Sequence, residues 1–311
     1  MKTIVACTMS PAIDKSSSVA HVVAERKLYC SPPRFEPGGG GVNVCRAVKK
    51  LGGESLLLYP SGGLTGKRLQ ELLHEECLDH RPIPIEGMIR ESLVVLEESS
   101  GLQYRFGMPG PKIQKKEWEQ FLDELAAIEP PPDYLVASGS LPLGVPADFY
   151  ARVARIGKAR GAKVFIDVSG EALEEALDEG VYLIKPNIRE FRKLVGEDIR
   201  EESQIKAEAQ RMVKSGRCEV LVISLGAAGA LVVSESFVEH ILPPTVPIVS
   251  KVGAGDSMVA GIVLSLARGR PLRESILFGV AAGTAAVMTP GTELCRREDA
   301  ERLFADMVSG L

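Results

Sequence analysis

Val252-Gly253-Ala254-Gly255-Asp256-Ser257-Met258-Val259-Ala260-Gly261 decides how the rest of the chain is read. Three small residues, Gly253, Ala254 and Gly255, lead into the apolar run 258–267, which reads as a buried helix. A helix that starts on small residues aims its first free N–H groups at whatever stands before it. The partial positive charge there favours an anion such as a transferring phosphoryl group. Asp256 falls in that first turn, where its carboxylate can take a proton from an attacking hydroxyl. Anion cradle and base within one turn are the elements of a phosphoryl-transfer centre. Taken alone the motif is weak, because Gly-rich turns precede many helices and Asp often serves only as a helix-start residue.

The surrounding composition narrows the class. The chain has 311 residues, and 45% hydrophobic with 25% charged is ordinary globular usage. Its length accommodates one large α/β domain or two smaller ones. Net charge is −4 with no dense Lys/Arg run, which argues against nucleic acid or an anionic membrane surface as partner. The six cysteines are scattered without a C-x-x-C pair, favouring reduced thiols in a cytoplasm over a disulfide framework or zinc site. The opening Met1-Lys2 and apolar 3–9 resemble a signal peptide only faintly. The run is short, no Ala-x-Ala site follows, and Asp14 and Lys15 interrupt what comes next. A first strand is the better reading, and no apolar run approaches the roughly 20 residues of a membrane span.

From the N-terminus, 4–7 reads as a buried strand, and Asp14 follows just past its carboxyl end, where open α/β sheets place ligands. Short β-like pieces near 19–23 and 27–31 lie too close for a crossover helix and read as a small antiparallel flap. Gly38-Gly39-Gly40-Gly41 then precede an amphipathic helix over 42–51, letting a ligand approach the backbone closely. Asn43 fills the last glycine position of G-x-G-x-x-G, so no dinucleotide fingerprint is present, and its amide can bond sugar hydroxyls or merely start the helix. After a strand over 55–59, the 61–68 turn falls short of a P-loop: the glycine spacing is one residue too small, and Arg68 stands where Ser/Thr should be. It reads as a loop before a helix over 67–77. Strands at 93–96 and 103–106 flank a hairpin turn and should join the first flap; Arg90 and Arg105 lie on this insertion. Arg forks bind phosphate bidentately, although a lone surface Arg is usually just solvated.

From Trp118 onward helices (117–128, 147–159, 171–178) alternate with short apolar strands (134–137, 164–167, 182–184). Such alternation means βαβ units, a mainly parallel sheet covered on both faces, and one crevice at the strands' carboxyl ends. Lys185-Pro186-Asn187-Ile188-Arg189-Glu190 lies at such an end. Asn187 and Glu190, three apart, can hold Mg²⁺ largely through waters or form a near capping box, and spacing alone favours the box. Strands at 220–224 and 231–233 follow, and 277–288 reads as a helix of small residues. Such a helix admits a flat ring or simply packs tightly. No internal repeat, low-complexity tract or linker is present.

Together, the glycine run with Asn43, Lys-Pro-Asn-x-x-Glu at 185–190 and Val-Gly-Ala-Gly-Asp-Ser at 252–257 resemble, in order and spacing, the ribokinase-like (PfkB-type) sugar kinases. The resemblance runs from Asp14 to about Cys295. It implies a single Rossmann-type three-layer α/β/α domain over 1–311, with a small β-sheet lid from insertions near 15–36 and 88–108. Pro37 to Asn43, Gln103 to Gly110 and Gly291 to Cys295 look most like the branch that phosphorylates fructose 6-phosphate on its 1-hydroxyl in glycolysis. Branches acting on fructose 1-phosphate or tagatose 6-phosphate typically carry Gly-Lys-Gly in the glycine run, where this chain has Gly40; these remain the alternatives. A catalytically silent sugar-phosphate or nucleotide sensor is the alternative of another class, although Asp256, Gly253 and Gly255 are all present.

Carried over by position, the resemblance implies Asp256 as general base and the amides of Gly253, Ala254 and Gly255 as the anion hole. Asp14, Gly39, Asn43 and Ser140 would hold the sugar, and Lys27, Arg90 and Arg105 its 6-phosphate. Lys185, Asn187, Ser224, Gly226, Met258, Val280 and Gly283 would line the ATP site, with Glu190 organising Mg²⁺. A monovalent cation such as K⁺ is implied behind the anion hole at Ser250, Val252, Ala286, Thr289, Gly291 and Glu293. Lys251 stands where relatives have Thr or Ser, and its ammonium would displace that cation or point to solvent. Unpaired lid edges imply a homodimer through the lid.

Overall fold

The computed structural model describes residues 2–196, 199 and 201–310. The first half supplies β1 (Ile4–Cys7), β2 (Ala12–Val19), β3 (Arg34–Gly38), α1 (Gly40–Lys50), β4 (Leu56–Ser61), α2 (Gly63–Glu75) and β5 (Asp79–Pro84). Next come β6 (Arg90–Glu97), β7 (Gln103–Gly107), α3 (Lys115–Ala126), β8 (Tyr134–Ser138), α4 (Phe149–Ala159), β9 (Lys163–Asp167), α5 (Glu171–Leu177) and β10 (Val181–Ile184). The chain ends with α6 (Ile188–Leu194), α7 (Glu202–Lys214), β11 (Cys218–Ser224), β12 (Ala230–Ser234), β13 (Val238–Ile241), α8 (Ala254–Ala267), α9 (Leu272–Val287) and α10 (Arg297–Ser309).

Among the described residues nine strands form the main sheet, in the order β13-β12-β11-β10-β9-β8-β1-β4-β5. From β11 to β5 all neighbours are parallel, and β12 and β13 add an antiparallel edge. Parallel strands need crossover helices, and both faces are accordingly covered. α1, α2, α8, α9 and α10 pack on one face around Val48, Leu69, Ile262, Phe278 and Leu303. α3, α4, α5, α6 and α7 pack on the other around Phe121, Phe149, Leu173, Phe191 and Met212. Strand order reverses at β1, between β8 and β4, and that is where an open α/β sheet opens its ligand crevice.

A second sheet, β3-β2-β6-β7, stands beside this crevice. It is mixed rather than antiparallel, because β2 and β6 run parallel from Ala12↔Arg90 to Val19↔Glu97. Its first strands also lie elsewhere than the sequence suggests: 12–19 and 34–38, with 20–33 as their connection. The Ser17 hydroxyl donates to the Ser31 carbonyl (2.7 Å), closing that connection. The polar residues of β2, Asp14 to Ser18, hide the strand from any apolar alternation. Asp14 therefore sits on a lid strand. The turn expected over 61–68 is largely the first turn of α2, which starts at Gly63. No helix is long and apolar enough to cross a membrane among the described residues.

Candidate active site

The 252–261 stretch begins on a left-handed turn that only glycine fits. Gly253 has φ 74°, and a Cβ there would lie 2.2 Å from Leu294 Cδ2. Helix α8 starts at Ala254, and no side chain caps it. The first intrahelical bond is Ser257 N–H to the Gly253 carbonyl (2.8 Å), so the N–H groups just before it point outward without intrahelical partners. Asp256 is not capping its own helix. Its Oδ2 accepts from Asn43 Nδ2 on α1 (2.9 Å), while Asn43 Oδ1 is buried without a partner.

Burial pushes Asp256 up to about 6, with Asp167 and Asp14 adding to the rise; the Asn43 hydrogen bond and Lys185 oppose it. Lys185, 7% exposed at the end of β10, pairs with Asp167 Oδ1 at 3.1 Å. Burial alone would lower the Lys185 ammonium, but Asp167 and more distant Asp256 and Glu190 outweigh it and raise it, so it stays charged. That ammonium lies close to the start of α8, since a Cβ on Gly255 would stand 3.1 Å from Lys185 Nζ. Asp167 escaped the sequence reading. The available signal was an acid placed at the carboxyl end of the apolar strand β9.

A cavity of about 550 Å³ opens between this turn and the lid. Of the expected residues it is lined by Asp14, Gly39, Asn43, Arg90, Arg105, Val252, Gly253 and Asp256, with Asp167 and Thr292 added. Arg90 Nη2 donates to the Ser10 carbonyl and Nη1 to Ser92 Oγ, each at 3.4 Å, and its buried Nε has no partner. Burial lowers the Arg90 pKa, and Asp14 works against that. Asp14 is raised chiefly by burial, with Arg90 and Arg46 opposing. Arg105, on neighbouring β7, is exposed at the mouth.

Two expected sugar ligands are elsewhere. Lys27 lies on the exposed 20–33 connection, its Nζ 5.1 Å from the ring centre of Tyr29. Ser140 faces an adjoining groove with Leu141 and Pro142, because β8 ends at Ser138 and it is Ser138 and Gly139 that reach the cavity. The glycine run has a structural duty beyond ligand approach. A Cβ on Gly40 would stand 2.3 Å from Ser138 Oγ, and one on Gly41 2.7 Å from the Cys7 carbonyl oxygen. These glycines wedge α1 against the ends of β1 and β8.

The expected ATP residues do not line this cavity. Asn187 Oδ1 accepts from the N–H of Arg189 and of Glu190 (2.9 and 3.0 Å), and Glu190 Oε2 accepts from Asn187 N–H (2.8 Å). This is the capping box, and any ligand role falls to Asn187 Nδ2 and Glu190 Oε1. Ser224 bridges to Asn187 at the next strand end, and Gly226 opens a 3₁₀ turn with φ 64°. Met258, Val280 and Gly283 are buried between α8 and α9, where a Cβ on Gly283 would lie 3.0 Å from the Ala254 carbonyl oxygen. Tight helix packing accounts for that glycine. Beside the Gly253 turn, Ser250 Oγ donates to the Gly291 carbonyl (2.9 Å), and the single Thr289 hydroxyl proton is shared between the carbonyls of Ala286 and Leu294 (2.9 and 2.8 Å). Lys251 is exposed, so its side chain does not fill that space.

Comparison with known proteins matches this architecture. The model of the pfkB family of carbohydrate kinases matches residues 6–299. The ATP-dependent 6-phosphofructokinase isozyme 2 of Mycobacterium tuberculosis is 44% identical, covering 97% of this chain and 88% of its own. The protein of the same name from Escherichia coli is 39% identical, covering 98% and 99%. Crystal structures of phosphofructokinase-2 from Escherichia coli superpose with TM-scores of 0.94 in complex with fructose-6-phosphate and 0.95 in complex with potassium. They are 38% and 39% identical and cover 99% of this chain and 100% of theirs. The Gly253 turn, the glycine run and the lid all fall inside the matched region, and the chain belongs to the pfkB family of carbohydrate kinases.

Proposed function

We propose that the protein transfers the γ-phosphoryl group of ATP to the 1-hydroxyl of fructose 6-phosphate, giving fructose 1,6-bisphosphate and ADP. The observation that carries this reading is one cavity holding Asp256 and the Gly253 turn together with Arg90 and Arg105 of the lid. A sugar phosphate anchored by the arginines would present its far hydroxyl to the carboxylate. Asp256, at about 6, is ionised at neutral pH and takes the hydroxyl proton as the oxygen attacks phosphorus. Asn43 fixes the orientation of Asp256 through Nδ2 and offers its unpartnered Oδ1 to a sugar hydroxyl. The amides of the 253–255 turn, with the Lys185 ammonium close to Gly255, would stabilise charge on the transferring group.

Among the described residues no three His, Cys, Asp or Glu side chains cluster as a metal cage. A divalent ion would take most ligands from phosphates and water, which suits Mg²⁺ held through Glu190. When bound it neutralises phosphate charge. The carbonyls of Ala286 and Gly291, with Ser250 and Thr289, offer the oxygen donors that K⁺ prefers, supporting a monovalent site there. All six thiols are free, which fits a reducing cytoplasm.

A coupled ADP-release assay comparing kcat/KM for fructose 6-phosphate, tagatose 6-phosphate and fructose 1-phosphate tests the reading. Preference for fructose 6-phosphate, lost on Arg105→Ala, is expected. Preference for fructose 1-phosphate would overturn the assigned phosphate end, and nucleotide binding without turnover would leave a sensor.

A further inference from the structure

The loop joining α9 to α10 is gripped from two directions. Towards the catalytic turn, Leu294 packs on Gly253, leaving no room for a Cβ. Ser250 Oγ ties the same loop to the irregular segment leading into that turn by donating to the Gly291 carbonyl and accepting from Val252 N–H (2.9 and 3.3 Å). Towards the lid, Thr292 Oγ1 donates to Glu36 Oε2 on β3 at 2.7 Å. Arg46, whose side chain is 1% exposed, locks this corner. Its Nη1 donates to the carbonyls of Thr292 and Pro37, both at 3.0 Å, and its Nη2 to Glu36 Oε1 (3.2 Å) and Glu76 Oε1 (2.6 Å).

A buried cation between two carboxylates is a weak source of net stability, because desolvation offsets most of its Coulombic gain. What the cluster does supply is geometry. Glu36 belongs to the lid, Arg46 to the helix that carries Asn43, and Thr292 to the loop that backs Gly253. We propose that Thr292 is a positioning residue: held by Glu36 and Arg46, it transmits the seating of the lid to the anion-hole turn. This rests on the phosphoryl-transfer reading of that turn. Sugar phosphate settling against β2 and β6 would fix β3, then Glu36, then the 288–296 loop, and so the amides that must meet the phosphoryl group. The anion hole is then in register only when the lid is.

Thr292→Val keeps the side chain's shape and removes the hydroxyl, whereas Thr292→Ser keeps the hydroxyl. At saturating substrates Thr292→Val should lower kcat about tenfold, the worth of one hydrogen bond to a charged group. The KM for fructose 6-phosphate should stay within about threefold, since sugar contacts remain, and Thr292→Ser should restore most of the rate. Hydrogen–deuterium exchange, read without turnover, should rise at 251–256 in the valine variant. Wild-type kcat in Thr292→Val, equal loss in the serine variant, or an effect confined to KM would overturn the proposal. If the wild-type protein itself turns over none of the three sugar phosphates, the reaction assignment fails, and unchanged exchange at 251–256 still rejects the linkage on its own. Glu36→Gln provides a second route should the valine variant not fold, with the same kcat-selective loss expected.

Discussion

A carboxylate held near 6 balances two demands, being a stronger base than an ordinary Asp yet still ionised at neutral pH. kcat/KM should therefore be flat above about pH 7 and fall roughly tenfold per unit below about 6, as Asp256 protonates. A profile flat down to pH 4.5 would remove Asp256 from the proton-transfer step. The same shift carries a stability consequence. Because the folded pKa lies above the ordinary 3.8, protonation favours the folded state. That contribution is complete below 3.8 and is lost as pH rises through about 6. Asp256→Asn should accordingly reduce kcat by at least about 100-fold while stabilising the fold at pH 7.5 by about 1–2 kcal/mol, less than the full shift because the carboxyl faces the cavity. Urea denaturation at pH 7.5 and pH 4 checks this, and the gain should vanish at the lower pH. Asp256 and Asn43 were legible from their motifs and Asp14 from its place past the first strand, whereas the two arginines became candidates only through the family resemblance. Asp167 and Thr292 were not: each matters through a partner distant in sequence, Lys185 in one case and Glu36 in the other.

Secondary elements explain which readings of the sequence succeeded. The buried parallel strands and their helices announce themselves by continuous apolar runs and helical spacing, and β8 is buried from Tyr134 to Ser138. Strand β5, Asp-His-Arg-Pro-Ile-Pro, does not, since an edge strand tolerates proline and buries little beyond Ile83. Of the lid strands, β6 and β7 were visible as short extended pieces, while β2 is hidden because its middle carries polar residues, Asp14 to Ser18. Helices α8 and α9 belong to the first kind but hold a constraint that periodicity does not show. A Cβ on Gly279 would stand 2.3 Å from Ile262 Cγ1 and 2.8 Å from the Met258 carbonyl oxygen. Gly279→Ala should therefore cost about 1–3 kcal/mol by overpacking, despite alanine's better helix propensity. Because α8 carries Asp256 at its start, the shift needed to relieve the clash should also lower kcat per folded molecule. Unchanged stability in chemical denaturation would mean that the helices separate freely, against the close approach seen here.

At the scale of the whole molecule, the main sheet buries both faces and leaves the lid as the surface in need of cover. Its outer strands, β3 and β7, present unpaired edges, and apolar side chains stand out from it: Tyr29 is 78% exposed, Phe106 48% and Phe35 40%. Phe35 and Phe106 stand on opposite edges of this small sheet and Tyr29 on its 20–33 connection, and exposed apolar groups carried by one small unit mark an association surface. A second copy of the chain would answer both features, since edge strands can extend each other's hydrogen bonding while the aromatic groups leave water. The protein should therefore sediment as a dimer at working concentrations, and Phe35→Asp, which places a charge on the β3 edge, should shift it towards monomer. If the lid is held in place by that pairing, the variant should also lose affinity for fructose 6-phosphate, while its main-sheet core remains as resistant to urea as the wild type's. A monomeric mass for the unmodified protein in light scattering would show that the lid stands alone.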